Sequence, residues 1–262
     1  MTTNGNDLIY GGLTSQTIDG RGGNDTVWYN RVPGNIALDL ADNGTFVYKN
    51  NGSFDTLVNI EAVATGGSQN DIIMALGSSK SVTIDLKLAS LQVNGTTRKL
   101  TVTGFDNIIG SFKGDTLLGN DGNNWFNGTR GGDVLTGRGG ADIFSYDSWM
   151  DSYGSNNLQR YVAGGTMDII TDFESGKDKI DLRCVSDTLG RKAVWVGDRS
   201  YLGRGIEGIG FGEVGLIGNQ VVANFGNQFT NLGKPTFLQI DIYNTGSTFP
   251  SRPNVQQTDV LL

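Results

Sequence analysis

Oxygen-bearing side chains recur at a fixed interval in the middle of this chain. Asp115, Asn124, Asp133 and Asp142 stand nine residues apart, each five residues after a glycine: Gly110, Gly119, Gly128 or Gly137. Carboxylate and amide oxygens beside turns whose carbonyls can converge form the donor set of a hard divalent cation, and Ca²⁺ takes such oxygens in flexible geometry. In register the units are Gly110-Ser-Phe-Lys-Gly-Asp-Thr-Leu-Leu118, Gly119-Asn-Asp-Gly-Asn-Asn-Trp-Phe-Asn127, Gly128-Thr-Arg-Gly-Gly-Asp-Val-Leu-Thr136 and Gly137-Arg-Gly-Gly-Ala-Asp-Ile-Phe-Ser145. A lone Gly-Asn-Asp triplet is an ordinary β-turn. Here the sixth position is always Asp or Asn and the eighth is always large and apolar, Leu117, Phe126, Leu135 or Phe144, and this joint recurrence carries the cation reading.

The elements that must hold such oxygens follow from the period. Glycines in the turns, Gly131 and Gly139 among them, let the backbone take positive φ and bend tightly, so that several carbonyls face one point. The apolar eighth residue is the inward-pointing middle of a three-residue strand. Two nine-residue units make one coil, which sets Asp115 opposite Asp133 and Asn124 opposite Asp142. Without an ion the stacked carboxylates repel one another; with it they become shared ligands.

The same register recurs near the N-terminus in Asn6-Asp-Leu-Ile-Tyr10, Gly11-Gly-Leu-Thr-Ser-Gln-Thr-Ile-Asp19 and Gly20-Arg-Gly-Gly-Asn-Asp-Thr-Val-Trp28. Asp7 and Asp25 are placed to share one ion, Gln16 replaces the carboxylate on the opposite edge, and Ile9, Ile18 and Val27 keep the inward period. Gly66-Gly-Ser-Gln-Asn-Asp-Ile-Ile-Met74 offers Asp71. Asp106 fits the register, but its unit, Thr101 to Ile109, lacks the Gly-Gly opening and reads as a plain strand-turn coil. Two longer segments, about 35–64 and 82–108, each open on an alternating strand, pass through a hairpin near Asn43-Gly44 or Asn94-Gly95, and return to a repeat. They read as larger strand coils of the same stack.

The fold class expected is therefore all-β: a parallel β-roll over residues 1–146, followed at 147–262 by a capping module. Composition agrees. Forty glycines and 37% hydrophobic residues in 262 argue for turns over a conventional core, while 12 Phe, 8 Tyr and 4 Trp exceed what a disordered chain carries. A net charge of −7 disfavours nucleic acid, which needs clustered Lys and Arg. The absence of histidine removes Ser-His-Asp and Cys-His catalysis and the His-Glu-x-x-His zinc site. One cysteine permits no internal disulfide; Cys184, in a strand-like run after Ile180-Asp-Leu-Arg183, is expected to be buried. The N-terminus lacks the basic and apolar regions of a signal peptide, and no apolar run is long enough to span a membrane.

These residues resemble the RTX (repeats-in-toxin) family of Gram-negative secreted proteins, whose nonapeptide is Gly-Gly-x-Gly-x-Asp-x-U-x with U large and apolar. Strict Gly-Gly openings occur at Gly11-Gly12 and Gly66-Gly67. Asp168-Ile-Ile-Thr-Asp-Phe-Glu-Ser-Gly-Lys-Asp-Lys-Ile-Asp-Leu182 resembles the segment after the roll in serralysin-type metalloproteases and alginate-epimerase modules. That resemblance implies an antiparallel β-sandwich-like cap. It makes Asp172, Asp178 and Asp181 either further calcium ligands or salt-bridged turn residues. Asn254-Val-Gln-Gln-Thr-Asp-Val-Leu-Leu262 is similar to the tail read by type I secretion systems, or is a frayed strand end. The resemblance covers residues 2 to 182 well; Gly203-Arg-Gly-Ile-Glu-Gly-Ile-Gly-Phe-Gly212 matches no motif.

Three functions are consistent with these readings. One is a non-enzymatic, secreted, extracellular calcium-binding protein, exported unfolded through a type I secretion ABC transporter and folding on several Ca²⁺ ions. The second is the C-terminal part of a larger protease, lipase or epimerase. The third binds or acts on extracellular polysaccharide or a cell surface, with Trp28, Trp125, Trp149 and Trp195 as sugar-facing aromatics or as ordinary packing.

Overall fold

A computed structural model of the chain describes residues 2–68, 70–148, 150–152, 167–188, 193–198, 211, 213–217, 220–224, 237–244 and 255–262. Short strands alternate between two sheets as the chain winds. The first winding gives β1 (Leu8–Tyr10), β2 (Gln16–Asp19) and β3 (Thr26–Trp28). Then come β4 (Ile36–Ala41), β5 (Gly44–Lys49), β6 (Phe54–Val58), β7 (Ala62–Ala64) and β8 (Ile72–Met74). The second long segment supplies β9 (Val82–Asp85), β10 (Ser90–Val93), β11 (Lys99–Thr103) and β12 (Asn107–Ile109). The central array is β13 (Thr116–Leu118), β14 (Trp125–Asn127), β15 (Val134–Thr136) and β16 (Ile143–Ser145). The rest is β17 (Asp168–Phe173), β18 (Lys179–Asp181), α1 (Arg183–Thr188), β19 (Val194–Asp198), β20 (Glu213–Ile217), β21 (Gln220–Asn224), β22 (Phe237–Asn244) and β23 (Val260–Leu261).

Among the described residues the first sheet runs β1-β3-β7-β11-β10-β9-β13-β15-β17-β22-β21-β20-β19 and the second β2-β6-β5-β4-β8-β12-β14-β16-β18-β23. The described residues are all-β apart from short helical turns. Leu117 pairs with Leu135, and Phe126 with Phe144, in parallel register. All four are buried to 1% exposure or less, as are Val27, Val63, Ile73 and Ile108 at the middle of their own three-residue strands. The Phe126 and Phe144 rings stack with centroids 5.2 Å apart and planes at 10°. Period-two burial on a three-residue strand leaves one inward side chain per strand, so the core is a column of single residues from each sheet. Ile9, at the outer end of the column, is only partly buried.

The sheets are mixed, which corrects the expectation of a wholly parallel roll. The segments at 35–64 and 82–108 are antiparallel meanders, β4-β5-β6 and β9-β10-β11, laid into the stack. They occupy opposite sheets, the first segment lying in the second sheet and the second in the first. Their tips meet through Arg98, whose guanidinium donates to the carbonyls of Ala41 and Gly44 at 2.7 Å each. Among the described C-terminal strands β21 runs antiparallel to both β20 and β22, but β22 pairs in parallel with β17 and so extends the first sheet.

One further expectation changes, and one of two alternatives for the tail is removed. Cys184 is exposed, because Asp181 accepts the Arg183 N–H at 3.1 Å, β18 ends there, and the chain turns into α1 with Val185 and Ser186 facing inward. The tail is not frayed: Val260 and Leu261 pair with Ile180 and Asp181. Trp149 and all of 203–212 except Phe211 lie outside the described residues. No described helix is long and apolar enough to cross a membrane.

Candidate cation-binding turns

The glycine that opens each unit and the acid that follows it five residues later form one local device. A Cβ built on Gly110 would lie 2.5 Å from Asp115 Oδ2 and 2.7 Å from the Gly128 carbonyl. Gly119 stands in the same relation to Asn124 Oδ1 and the Gly137 carbonyl, Gly128 to Asp133 Oδ2, Gly137 to Asp142 Oδ2, and Gly20 to Asp25 Oδ2. The opening glycine is required because the acid folds back over it. Positive φ, which the sequence assigned to glycines generally, falls at the second and fourth positions. At the second position it falls on Gly67 at 75° but also on residues that are not glycine: Arg21 at 70°, Thr129 at 65° and Arg138 at 71°. At the fourth position Gly131 has φ 131°, and any Cβ there would meet the Lys113 carbonyl of the preceding coil at 2.6 Å. Gly139 makes only ordinary contacts, the nearest at 3.5 Å.

The sixth-position side chains are brought together in ladders. Val82 N–H donates to Asp115 Oδ1 at 2.7 Å, Asp115 N–H to Asp133 Oδ1 at 2.8 Å, and Asp133 N–H to Asp168 Oδ1 at 2.9 Å. On the opposite edge Asn124 N–H donates to Asp142 Oδ1 at 2.8 Å and Asp142 N–H to Asp178 Oδ1 at 3.0 Å. Near the N-terminus Asp7 N–H donates to Asp25 Oδ1 at 2.8 Å, Asp25 N–H to Glu61 Oε2 at 2.9 Å, and Ile36 N–H to Asp71 Oδ1 at 2.7 Å. The expected pairs thus sit one coil apart, joined backbone to side chain.

One oxygen of each acid is therefore engaged, and for several the other is not. Asp25, Asp71, Asp106 and Asp133 each bury an Oδ2 that has no hydrogen-bond partner. Asp168 Oδ2 is likewise buried and without a hydrogen-bond partner, as is the hydroxyl of the neighbouring Tyr146. A buried carboxylate oxygen without a donor or cation is costly. Burial of the ladder acids also shows in the ionisation of four of them. Burial raises Asp115 to about 6. Burial, then repulsion from Asp178 and Asp172, raises Asp142 to about 7. Burial and the mutual proximity of Asp133 and Asp168 hold Asp133 well above the carboxylate range, and burial with Asp151 and Asp115 nearby does the same for Asp168.

Among the described residues no three Asp, Glu, His or Cys side chains gather at one point. Asp178 belongs to the ladder and also accepts the Glu174 N–H at 2.7 Å. Asp181 does not: it lies 2.6 Å from the Arg183 guanidinium, whose hydrogen bonds outweigh burial and hold its carboxyl below the usual range. Asp172 accepts the N–H groups of Gly137 and Arg138 at 2.9 and 2.7 Å. Glu61 and Asp168 are ladder residues that the nine-residue register passed over, whereas Asp106, which fits the register but was read as part of a plain strand-turn coil, carries a buried unpartnered Oδ2. Glu61 stands 36 residues after Asp25, the separation that also joins Asp142 to Asp178, so doubling the coil length would have found it.

Asn70, Asp106, Asn107, Asn123, Asn124 and Trp125 line a groove of about 530 Å³ along the second-sheet turns. Residues 13–207 match the family model described as peptidase M10 serralysin C terminal. The chain belongs to that family. The match spans well over half of the sequence and takes in the turns at 20–25, 66–71 and 110–142 together with the Asp168–Leu182 segment. The family is an RTX-type module of secreted proteins. No curated protein matches the chain.

Proposed function

We propose that the chain is a calcium-binding RTX β-roll, a two-sheet solenoid widened by two meanders, from a protein that is secreted and folds on extracellular Ca²⁺. The observation that carries this reading is the row of buried Oδ2 atoms without donors at Asp25, Asp71, Asp106 and Asp133. Bound Ca²⁺ supplies a compact positive charge that such oxygens can coordinate. Asp7, Asp25, Asp71, Asp115, Asn124, Asp133, Asp142 and Asp168 would hold it together with turn carbonyls. The chain's own part is positional: Oδ1 of Asp25, Asp71, Asp115, Asp133, Asp142 and Asp168 is fixed by an N–H of the preceding coil while Asp7 is held by Thr3, the opening glycine leaves room for Oδ2 of Asp25, Asp115, Asp133 and Asp142, and the apolar column beneath excludes water.

Metal-free, the same carboxylates repel one another and oppose closure. That suits passage, unfolded, through a type I secretion ABC transporter from a compartment poor in calcium, with folding driven by mass action outside. The role is non-enzymatic. Far-UV circular dichroism during Ca²⁺ titration and subsequent chelation tests it: strand signal should appear with the ion and disappear with the chelator, and an unchanged spectrum would sink the reading.

The family description favours a second reading, in which this is the C-terminal module of a larger exoenzyme. The coding sequence upstream of Met1 decides it. The amide-lined groove with Trp125 supports polysaccharide as a ligand of the folded module. Retention on acidic or neutral polysaccharide columns checks that, and none on either rules it out.

A further inference from the structure

The turn Gly11–Gln16 has the glycine opening of the repeat but not its acid. Gln16 is exposed, and the space over Gly11 that a carboxylate takes over Gly110 or Gly128 is filled by the Tyr29 ring. An acid arrives instead from the neighbouring strand of the second sheet, where β6 pairs with β2 and sets Asp55 beside Gln16. Asp55 is fully buried, and its Oδ2 accepts the Tyr29 hydroxyl at 2.9 Å. Its Oδ1 lies 2.6 Å from Lys49 Nζ. The same ammonium donates to the turn carbonyls of Gly12 at 2.8 Å and Thr14 at 2.6 Å. Both side chains of the ion pair are at 0% exposure.

An ammonium has three donors and no acceptor, and here it meets three oxygens: two carbonyls of a repeat turn and one carboxylate of the next strand. That donor set is the kind a hard divalent ion uses in an acid-bearing turn, with the positive charge supplied by the chain itself. A buried carboxylate left without this charge would be strongly destabilising, so the lysine is not a surface accessory.

We propose that Lys49 is a tethered cation filling the 11–16 turn, so that this coil, with β2, β5 and β6, closes without a divalent ion while the acid-bearing turns wait for one. This rests on the calcium reading of those turns. The module would then contain a pre-formed end from which calcium-dependent coils extend.

Hydrogen exchange of the full chain, followed by mass spectrometry with and without chelator, tests this. Amides of β2, β5 and β6 should keep their protection on chelation, exchanging more than about tenfold slower than those of β13 to β16. Loss of both regions together overturns this inference alone; no response to chelator anywhere removes it and the calcium reading together. Lys49→Met should abolish the chelator-resistant protection, and unchanged protection overturns the proposal. Lys49→Ala, which vacates the cage while keeping Asp55, should bind one more Ca²⁺ per chain than the parent by native mass spectrometry. An equal count overturns the claim that the turn is a cation cage.

Discussion

Asp133 and Asp115 are joined through unlike groups: Asp133 Oδ1 accepts the backbone N–H of Asp115 at 2.8 Å, while Asp133 Oδ2 is buried and meets no donor. The hydrogen bond fixes where the second oxygen points. Order and electrostatic cost are thus imposed by the same side chain, and under the calcium reading a bound ion would convert that cost into a gain.

Asp133→Asn keeps an acceptor for the Asp115 N–H and deletes the charge. It should stabilise the metal-free chain and weaken calcium-dependent stabilisation by about 2 kcal/mol, since a buried uncompensated charge is removed along with an anionic ligand. Thermal melts with saturating Ca²⁺ and with chelator should move in opposite directions; parallel shifts would contradict the assignment.

The carboxyls of Asp115 and Asp142 are raised to about 6 and about 7 from an ordinary value near 3.8, chiefly by burial. A raised folded-state value means that the neutral acid is favoured by folding. The metal-free chain therefore has this stability in full below about pH 4 and loses it as pH rises through 6 to 7. In chelator, strand signal by circular dichroism should be greater at pH 5 than at pH 8. With Ca²⁺ present the order should reverse, because protons then compete with the ion.

Opening glycines should be intolerant in a way that the third-position Gly139 is not. Gly110→Ala places a methyl 2.5 Å from Asp115 Oδ2 and should cost about 2–4 kcal/mol through displacement of the carboxylate. Gly139→Ala, with nothing nearer than 3.5 Å, should stay within about 0.5 kcal/mol of the parent. Chemical denaturation of the calcium-bound forms gives both numbers.

Asp259 binds the tail to the roll. It accepts the Ser175 hydroxyl at 2.7 Å and the Gly176 N–H at 3.1 Å, and pairs with Lys179 at 3.3 Å, while fully buried itself. Asp259→Ala should cost the purified protein about 2–3 kcal/mol, because the N–H of Gly176 loses its acceptor and the ammonium its counter-charge. A variant that fails in export but melts like the parent would assign Asp259 to recognition alone.

Much of this could be read in advance because the repeat is strict where side chains point. Leu117, Phe126, Leu135 and Phe144 obey the eighth-position rule and form the column, and Asp115/Asp133, Asn124/Asp142 and Asp7/Asp25 fall one coil apart because nothing interrupts their coils. Glu61, Asp168 and Asp178 were harder, since inserted chain separates them from the partner whose N–H they accept. The turn dihedrals were illegible because Arg21, Thr129 and Arg138 adopt positive φ without being glycine. Lys49 had no signature at all: a buried ammonium on an alternating strand looks like any outward-facing lysine until Asp55 is seen beside it.

The two meanders have a consequence for shape. Where an undisturbed coil gives each sheet one strand, β4-β5-β6 gives the second sheet three and β9-β10-β11 gives the first sheet three. Either alone would make one wall of the stack longer than the other by two strand spacings, about 9–10 Å, and a stack with unequal walls must bow. Because the insertions fall in opposite walls the excess cancels, and the coils from β13 onward resume level stacking. Deleting one meander would therefore be felt as curvature far along the array, whereas deleting both would shorten the molecule and leave its axis unbent.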